Sequence, residues 1–80
     1  MIYILDLLNK IKWDKREIQE FYTIHYHDRT ENINKTVKYT DIMAFDPPFM
    51  IIEINKKLTY IPIHRIKEVK NQGKTVWKRE

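Results

Sequence analysis

The stretch Ile61-Pro62-Ile63-His64-Arg65-Ile66 decides how the second half of this 80-residue chain folds. Pro62 has no backbone N–H to donate to a sheet, so it predicts the end of a strand. Ile63 and Ile66 stand three positions apart, a spacing that predicts a single 3₁₀ turn with both side chains in the core. The stretch therefore predicts a strand end followed by a rigid, anchored turn.

Two side chains of this turn, His64 and Arg65, are not explained by folding. Imidazole titrates near neutral pH, and guanidinium presents a rigid fork of donors that fits phosphate or carboxylate. A titratable group beside an anion clamp on a rigid support indicates a phosphate-handling site. The simpler interpretation, a turn that only anchors the fold, stays open at this point.

Short strands are predicted on both sides of the turn. Phe49 to Ile54 is the most hydrophobic run and is expected at the centre of the sheet. Gly73 can adopt a positive φ, which predicts a hairpin turn over residues 71–74. The other predicted segments are a strand over 36–40, a turn from Asp41 to Ala44, and strands over 58–61, 67–70 and 75–79.

Helical periodicity is confined to the N-terminal segment, where it predicts an amphipathic helix over residues 3–12. The apolar residues of its stripe are Ile4, Leu5, Leu8 and Ile11. The sequence Asp14-Lys15-Arg16-Glu17 has the form of a capping box, so a short helical turn is predicted over residues 15–19.

From Phe21 the apolar period changes to two, which predicts a strand. One face carries Tyr22, Ile24 and Tyr26, and the other carries Thr23, His25, His27 and Arg29. The spacing of His25 and His27 can present two imidazoles to one metal ion, but a third ligand would have to come from His64 or a carboxylate. We therefore expect two half-exposed strand histidines and no metal site.

Together these segments predict an α+β fold. An N-terminal helix is expected to pack on a curved antiparallel sheet, or on a small partly open barrel, of about six short strands. Residues 1–80 are expected to form a single domain. Because the chain has no cysteine, packing alone has to hold its core.

The chain is basic, with a net charge of +4 and a sequence pI of about 9.4. This balance favours an anionic partner such as RNA, DNA or a phosphorylated small molecule, the alternative being lysines that serve only solubility. The apolar start is interrupted by Asp6 and follows no basic region, so it does not predict a signal peptide. No apolar run approaches the ~20 residues of a membrane span. We expect a cytoplasmic protein without a membrane partner.

Both tryptophans lie beside cations, Trp13 after Lys12 and Trp77 before Lys78. This arrangement is typical of single-stranded nucleic-acid sites, where bases stack on rings and Lys or Arg holds phosphates. The alternative for each tryptophan is packing between the helix and the sheet.

Arg29 ends the motif Tyr26-His27-Asp28-Arg29 and is a further candidate phosphate contact. The alternative is a local turn that Asp28 stabilises.

No catalytic set assembles from the sequence. Serine and cysteine nucleophiles are absent, and a single glycine cannot form a Gly-rich phosphate loop. The paired H-x-T or H-x-S motifs of two-histidine phosphoesterases are also absent. We therefore expect no catalytic residue and no cofactor, and we favour a binding role over an enzymatic one.

Four ordered motifs, which cover nearly the whole chain, resemble those of a known family. They are Asp6-Leu7-Leu8-Asn9-Lys10-Ile11-Lys12-Trp13-Asp14, Tyr26-His27-Asp28-Arg29, Ile61-Pro62-Ile63-His64-Arg65-Ile66 and Gly73-Lys74-Thr75-Val76-Trp77-Lys78-Arg79. The family (domain of unknown function 504) is small, largely archaeal and uncharacterised, and also occurs as a domain in some eukaryotic RNA-processing proteins. It has been proposed to recognise RNA ends that bear a cyclic phosphate. Lys15 departs from the pattern, in which proline follows the Trp-Asp pair.

The resemblance implies a small, basic, non-catalytic RNA-binding module that recognises 2′,3′-cyclic phosphate ends, with RNA as partner and RNA-processing proteins as further candidates. The residues expected to contact RNA are His64, Arg65, Arg29, Trp13, Trp77 and Lys78. Arg65 and Arg29 would contact phosphate, His64 would donate a hydrogen bond, and a tryptophan would stack on a terminal base. Two alternatives stay open: an RNA-end phosphoesterase with His64 as general acid or base, and a structural or protein-interaction domain.

Overall fold

The computed structural model describes residues 3–79 and begins with one helix, α1 (Ile4–Trp13). The predicted helix is confirmed to within one residue at each end. Its apolar stripe is widened by Leu7, which is 6 % exposed, and not by Leu5, which is 41 % exposed. Both leucines flank the stripe at helical spacing, so periodicity alone could not distinguish them.

Within residues 3–79, seven strands follow α1 and form two antiparallel sheets. The strands are β1 (Tyr22–Asp28), β2 (Ile33–Lys38), β3 (Ile42–Asp46), β4 (Phe49–Ile54), β5 (Lys57–Pro62), β6 (Ile66–Asn71) and β7 (Lys74–Lys78). The first sheet has the order β2-β1-β6-β7, and the second has the order β3-β4-β5. The predicted α+β class is confirmed, as is the central position of β4, and the sheets formed by residues 3–79 do not close into a barrel. Among these residues no helix is long and apolar enough to cross a bilayer.

One hydrophobic core is shared by α1 and both sheets. β1 contributes Tyr22, Ile24 and Tyr26 from the predicted inward face. Fully buried residues of the other elements are Ile11 in α1, Met50 in β4, and Ile66 and Val69 in β6. Burial of an aliphatic side chain of this size contributes about 1.5–3 kcal/mol, so the two sheets are held together through this core.

The predicted turn from Asp41 to Ala44 is wrong. A 3₁₀ turn covers Tyr39–Asp41, and β3 then begins at Ile42 and pairs with β4. The register shifts between Ile42 and Ala44, so Met43 is an extra residue in the strand. Because such a bulge breaks the two-residue alternation, β3 does not show in the hydrophobic period.

The predicted helical turn over residues 15–19 is also wrong. The Asp14 Oδ1 atom accepts a hydrogen bond from the backbone N–H of Arg16 at 2.9 Å, and the carboxylate also binds the Arg16 guanidinium. These bonds from Arg16 lower the pKa of Asp14 to about 2. The N–H of Glu17 donates to the carbonyl of Asp14 at 3.0 Å in a single turn, and the first 3₁₀ helix of this region is Gln19–Phe21. In a capping box, the Asp14 carboxylate would accept a hydrogen bond from the backbone N–H of Glu17. Here the same carboxylate binds Arg16 instead.

The two connections at the ends of β6 form as predicted. A 3₁₀ turn, Ile63–Arg65, joins β5 to β6, and its flanking anchors Ile63 and Ile66 are buried. Gly73 has a φ of +81° in the hairpin between β6 and β7. The position of β6 is therefore fixed at both ends by short, well-defined turns.

Candidate functional site

The 3₁₀ turn between β5 and β6 carries the two side chains that the sequence singled out. The N–H of Ile63 donates a hydrogen bond to the carbonyl of Pro48 at 2.8 Å, and Ile66 is completely buried. The turn is thus tied to the loop before β4 as well as to the core. His64 is exposed on this support, whereas Arg65 is half-buried.

Arg65 lines a small cavity where the two sheets meet. The cavity has a volume of about 140 Å³ and is bordered by Tyr26, His27 and Asp28 of β1 and by Thr59, Tyr60 and Ile61 of β5. The Nε atom of Arg65 is shielded from solvent and has no hydrogen-bond partner among residues 3–79. A shielded donor without an acceptor costs about 1–3 kcal/mol. Arg65 therefore brings a positive charge to the lining of this cavity, while its unpaired Nε lies below the accessible surface.

Asp28 brings a negative charge to the same cavity, and local contacts compensate it. Its Oδ1 atom accepts hydrogen bonds from the N–H groups of Thr30 (2.8 Å) and Glu31 (3.2 Å), and its Oδ2 atom lies 2.9 Å from Nζ of Lys35. The hydrogen bond from Lys35 is the largest cause of the lowered pKa of Asp28. The interpretation of a turn stabilised by Asp28 is confirmed, and Arg29 is exposed in this turn.

The two histidines of β1 are half-buried and hydrogen-bonded. The ring nitrogens of His25 lie 2.9 Å from the Thr36 hydroxyl and 3.2 Å from the Thr23 hydroxyl. Nδ1 of His27 lies 3.2 Å from Oδ1 of Asn34, an oxygen that can only accept, so Nδ1 is the donor. In the described part of the chain, no three histidine or acidic side chains are placed to hold a metal ion.

Three of the four arginines lie at one end of the four-stranded sheet. Tyr26 pairs with Ile66, which brings the end of β1 beside the 3₁₀ turn. Beyond β7, the N–H of Arg79 donates to the carbonyl of Lys67 (2.8 Å), and its Nε donates to the carbonyl of Ile66 (2.9 Å). We call this edge the basic end and define it by Arg29, Arg65 and Arg79.

Lys78 is close to the basic end in sequence but lies on the outer face of the sheet. It is exposed and pairs with Glu68 across the β6–β7 ladder. A hydrogen bond from the Thr75 hydroxyl lowers the pKa of Glu68, and the charges of Lys70, His25 and Lys78 lower it further. The facing carboxylate offsets part of the attraction that Lys78 has for an anion.

The two tryptophans lie in different environments. Trp77 is 9 % exposed and belongs to the core, with the Arg79 guanidinium 5.1 Å from its ring centroid. Trp13 is 73 % exposed, and Nζ of Lys12 lies 5.0 Å from its ring centroid. Core packing is thus confirmed for Trp77 and wrong for Trp13.

Trp13 lies far from the basic end. It borders a surface cavity together with Gln19 and Glu20 of the 3₁₀ turn that precedes β1. The basic end lies beyond the last residue of β1, and a strand of seven residues is about 20 Å long. Of the six predicted contacts, the structure brings Arg29, His64 and Arg65 to one end of the molecule.

Tyr60, an aromatic residue at the rim of the cavity, is not among the contacts predicted from the sequence. It lines the same cavity as Arg65 and is 55 % exposed. Its ring meets the ring of Phe49 in a T-shaped contact, with centroids 6.1 Å apart and planes at 80°. The alternation of Tyr60 with the buried Ile61 was visible in the sequence, but its proximity to Arg65 follows only from the tertiary fold.

Comparison with known proteins gives concordant matches. The model of the family described as "MJ1316 RNA cyclic group end recognition domain" matches residues 1–79. A UPF0248 protein of Saccharolobus islandicus (strain L.S.2.15 / Lassen #1) is 33% identical over 79 residues, which cover 95% of this chain and 98% of that protein. A UPF0248 protein of Metallosphaera sedula is 29% identical over 76 residues, with 95% and 91% covered. No solved structure matches this chain significantly.

Proposed function

Because the chain belongs to the MJ1316 RNA cyclic group end recognition domain family, we propose that it is a non-catalytic module that binds RNA ends carrying a 2′,3′-cyclic phosphate. The description of the family supports RNA as the partner. The proposal extends to an RNA-processing setting, with RNA-processing proteins as further partners and a cytoplasmic location. These finer points are supported only by the resemblance of the sequence motifs.

The observation that carries the proposal is the position of Arg65, a cationic side chain that borders a cavity of about 140 Å³. Pockets for drug-sized ligands have volumes of about 300–1,000 Å³, so this cavity suits a group the size of a phosphate. An anion in this cavity would lie beside the guanidinium of Arg65, which borders it. His64, exposed on the same turn, would donate a second hydrogen bond.

A carboxylate beside the cavity reduces the electrostatic advantage that a dianion has over a monoanion. Asp28 borders the cavity as a carboxylate, although Lys35 compensates its charge. A cyclic phosphodiester carries one negative charge, whereas a terminal phosphomonoester carries about −1.5 to −2 at pH 7. Repulsion from the carboxylate grows with the charge of the ligand. The affinity that a linear phosphate derives from Arg65 should therefore be lower than its larger charge alone suggests.

The test compares three RNA oligomers of one sequence that end in 2′,3′-cyclic phosphate, 3′-phosphate or 3′-hydroxyl. Fluorescence anisotropy at fixed salt should give the lowest Kd for the cyclic end. For single strands, log K falls with log salt concentration by about 0.7 for each phosphate that is neutralised. Contacts to phosphate from the three arginines of the basic end would therefore give a slope of about −2.

Two variants separate the site from the net charge. Arg65→Met removes the proposed contact, and Arg16→Met removes one positive charge from an exposed residue outside the basic end. The cyclic-end preference should be lost in the first variant and kept in the second. Equal affinity of the wild-type protein for all three ends would refute end recognition, and ring opening detected by mass spectrometry would refute the non-catalytic role.

A further inference from the structure

We propose that Tyr60 stacks on the terminal nucleobase of the bound RNA while Arg65 holds its phosphate. This inference rests on the proposed function and adds the part of the site that binds the nucleoside. In the sequence-based hypothesis this role belonged to one of the tryptophans.

The size of the cavity requires the base to lie outside it. A volume of about 140 Å³ accepts a phosphate group but is too small to enclose a nucleotide as well. The base then lies outside the cavity, where the rim is the nearest protein surface. Of the two tyrosines that line the cavity, Tyr26 is 4 % exposed and belongs to the core, whereas Tyr60 is 55 % exposed. Tyr60 is thus the tyrosine of the cavity with ring surface available to a ligand.

The neighbours of Tyr60 keep its ring in place. The ring packs against Phe49 in the T-shaped arrangement that aromatic pairs prefer. Its strand, β5, pairs with β4 over its whole length, and Tyr60 lies opposite Ile51 in this ladder. A ring that is oriented before binding loses little conformational freedom when a base stacks on it.

The positions of the tryptophans exclude them from this role. The ring of Trp77 is buried in the core. Trp13 lies beside Gln19 and Glu20, which precede β1, whereas the basic end lies beyond the last residue of this strand, which is about 20 Å long. A terminal nucleotide held by Arg65 cannot reach either ring, whereas Tyr60 borders the same cavity as Arg65.

The inference predicts the effect of the base on affinity. Base–aromatic stacking tolerates any sequence because every base has a π-face, and its loss weakens binding by about 5- to 150-fold per base. The protein should therefore bind cyclic ends of every terminal base. Affinity should be higher for a terminal adenosine than for a terminal uridine, because the purine offers the larger stacking surface.

The test uses Tyr60→Leu and Tyr60→Phe, with Leu58→Ala as the matched control. Leu58 lies on the same strand, is exposed to a similar degree, and is outside the cavity lining. Isothermal titration with oligomers that end in adenosine or uridine 2′,3′-cyclic phosphate gives the affinities. Tyr60→Leu should weaken binding at least about fivefold and reduce the adenosine preference. Tyr60→Phe and Leu58→Ala should stay close to wild type.

Photocrosslinking provides a readout that does not depend on a variant. An oligomer with a terminal 4-thiouridine 2′,3′-cyclic phosphate is irradiated with the wild-type protein, and the adduct is mapped by mass spectrometry. An adduct at Tyr60 supports the inference, and an adduct at Trp13 overturns it. Unchanged affinity of Tyr60→Leu, or an equal loss in Leu58→Ala, also overturns it. If the inference about Tyr60 is overturned but the wild-type protein prefers cyclic ends, the proposed function survives. If the wild-type protein shows no preference for cyclic ends, both the proposed function and the inference are refuted.

Discussion

Replacement of Arg65 by methionine is expected to preserve or raise the stability of the protein while it weakens the binding of RNA ends. The effect on stability arises from Nε, which is shielded from solvent and has no acceptor among the described residues. The effect on binding arises from the guanidinium charge of Arg65 beside the cavity. Methionine keeps a flexible, unbranched stem that can fill the cavity wall. It removes the donor and the charge, which are the features that the proposed phosphate contact needs.

The expected change in stability follows from the cost of one shielded donor. An unsatisfied donor of this kind costs about 1–3 kcal/mol, and its removal should raise stability by part of this amount. Methionine has a shorter side chain than arginine, so some packing is lost, and this loss offsets part of the gain in stability. We therefore expect the free energy of unfolding of Arg65→Met to lie between the wild-type value and a value higher by about 1 kcal/mol. For a domain of this size, about 1 kcal/mol corresponds to a rise in Tm of roughly 4–8 °C.

The expected change in binding follows from the loss of one charge-assisted hydrogen bond. Such a bond contributes about 1.5–3 kcal/mol, so the Kd for a cyclic-phosphate end should rise by about 10- to 150-fold. Urea unfolding at pH 7 measures the stability, and fluorescence anisotropy at the same pH and salt measures the affinity. Arg16→Met loses an equal charge from an exposed site and should change the Kd by less than about threefold, because salt screens its distant charge.

Two results would refute this reasoning. A fall of more than about 1 kcal/mol in the unfolding free energy of Arg65→Met would identify the guanidinium as a structural group, since truncations without such a role usually have smaller effects. Wild-type affinity of a folded Arg65→Met variant would show that the cavity does not bind the RNA end.

Three further outcomes are expected. His64→Ala should change the unfolding free energy by less than about 0.5 kcal/mol, because His64 is exposed. The same variant should raise the Kd for the cyclic end by about 2- to 13-fold. If circular dichroism shows that the variant is unfolded, His64 has a structural role instead. Trp13→Ala should leave the ratio of the Kd values for cyclic and hydroxyl ends within about twofold, because sites this distant act independently. Burial raises the pKa of Tyr39 above its ordinary value of 10.0. The tyrosine therefore ionises first in the unfolded state, and the stability of the protein falls as pH rises above about 10. Measured by urea unfolding, the fall in unfolding free energy from pH 8 to pH 11 should be smaller in Tyr39→Phe than in the wild type.

Local spacing was sufficient to predict several elements of the fold. The alternation of Tyr22, Ile24 and Tyr26 identified the buried face of β1, because a strand turns every second side chain to the same side. The anchored turn at residues 63–65 could be predicted because Pro62 leaves few backbone alternatives. β3 was missed because the bulge at Met43 disturbs its alternation, and no pattern in the sequence reveals a bulge in advance.

The candidate site was less predictable, because its residues come together only through tertiary contacts. Arg65 could be singled out as a side chain that folding leaves unexplained, but the cavity that it borders exists only where β1 and β5 come together in the tertiary fold. The tryptophans show the same limit: both stand beside cations in the sequence, yet Trp77 lies in the core and Trp13 in solvent. Residue type and neighbours in the sequence do not determine on which side of the core a ring packs.

The cavity lies where the chain passes from one sheet to the other. β5 ends at Pro62 in the three-stranded sheet, and β6 begins at Ile66 in the four-stranded sheet, so the 3₁₀ turn with Arg65 crosses the junction between them. The four-stranded sheet borders the cavity with the end of β1 and its charged turn, and the three-stranded sheet borders it with Tyr60. In the proposed complex, the groups around the phosphate and the group that stacks on the base therefore belong to different sheets. Because Ile63 and Ile66 anchor the connecting turn in the core that the two sheets share, affinity for the RNA end should depend on how the sheets pack as well as on the residues that contact the ligand.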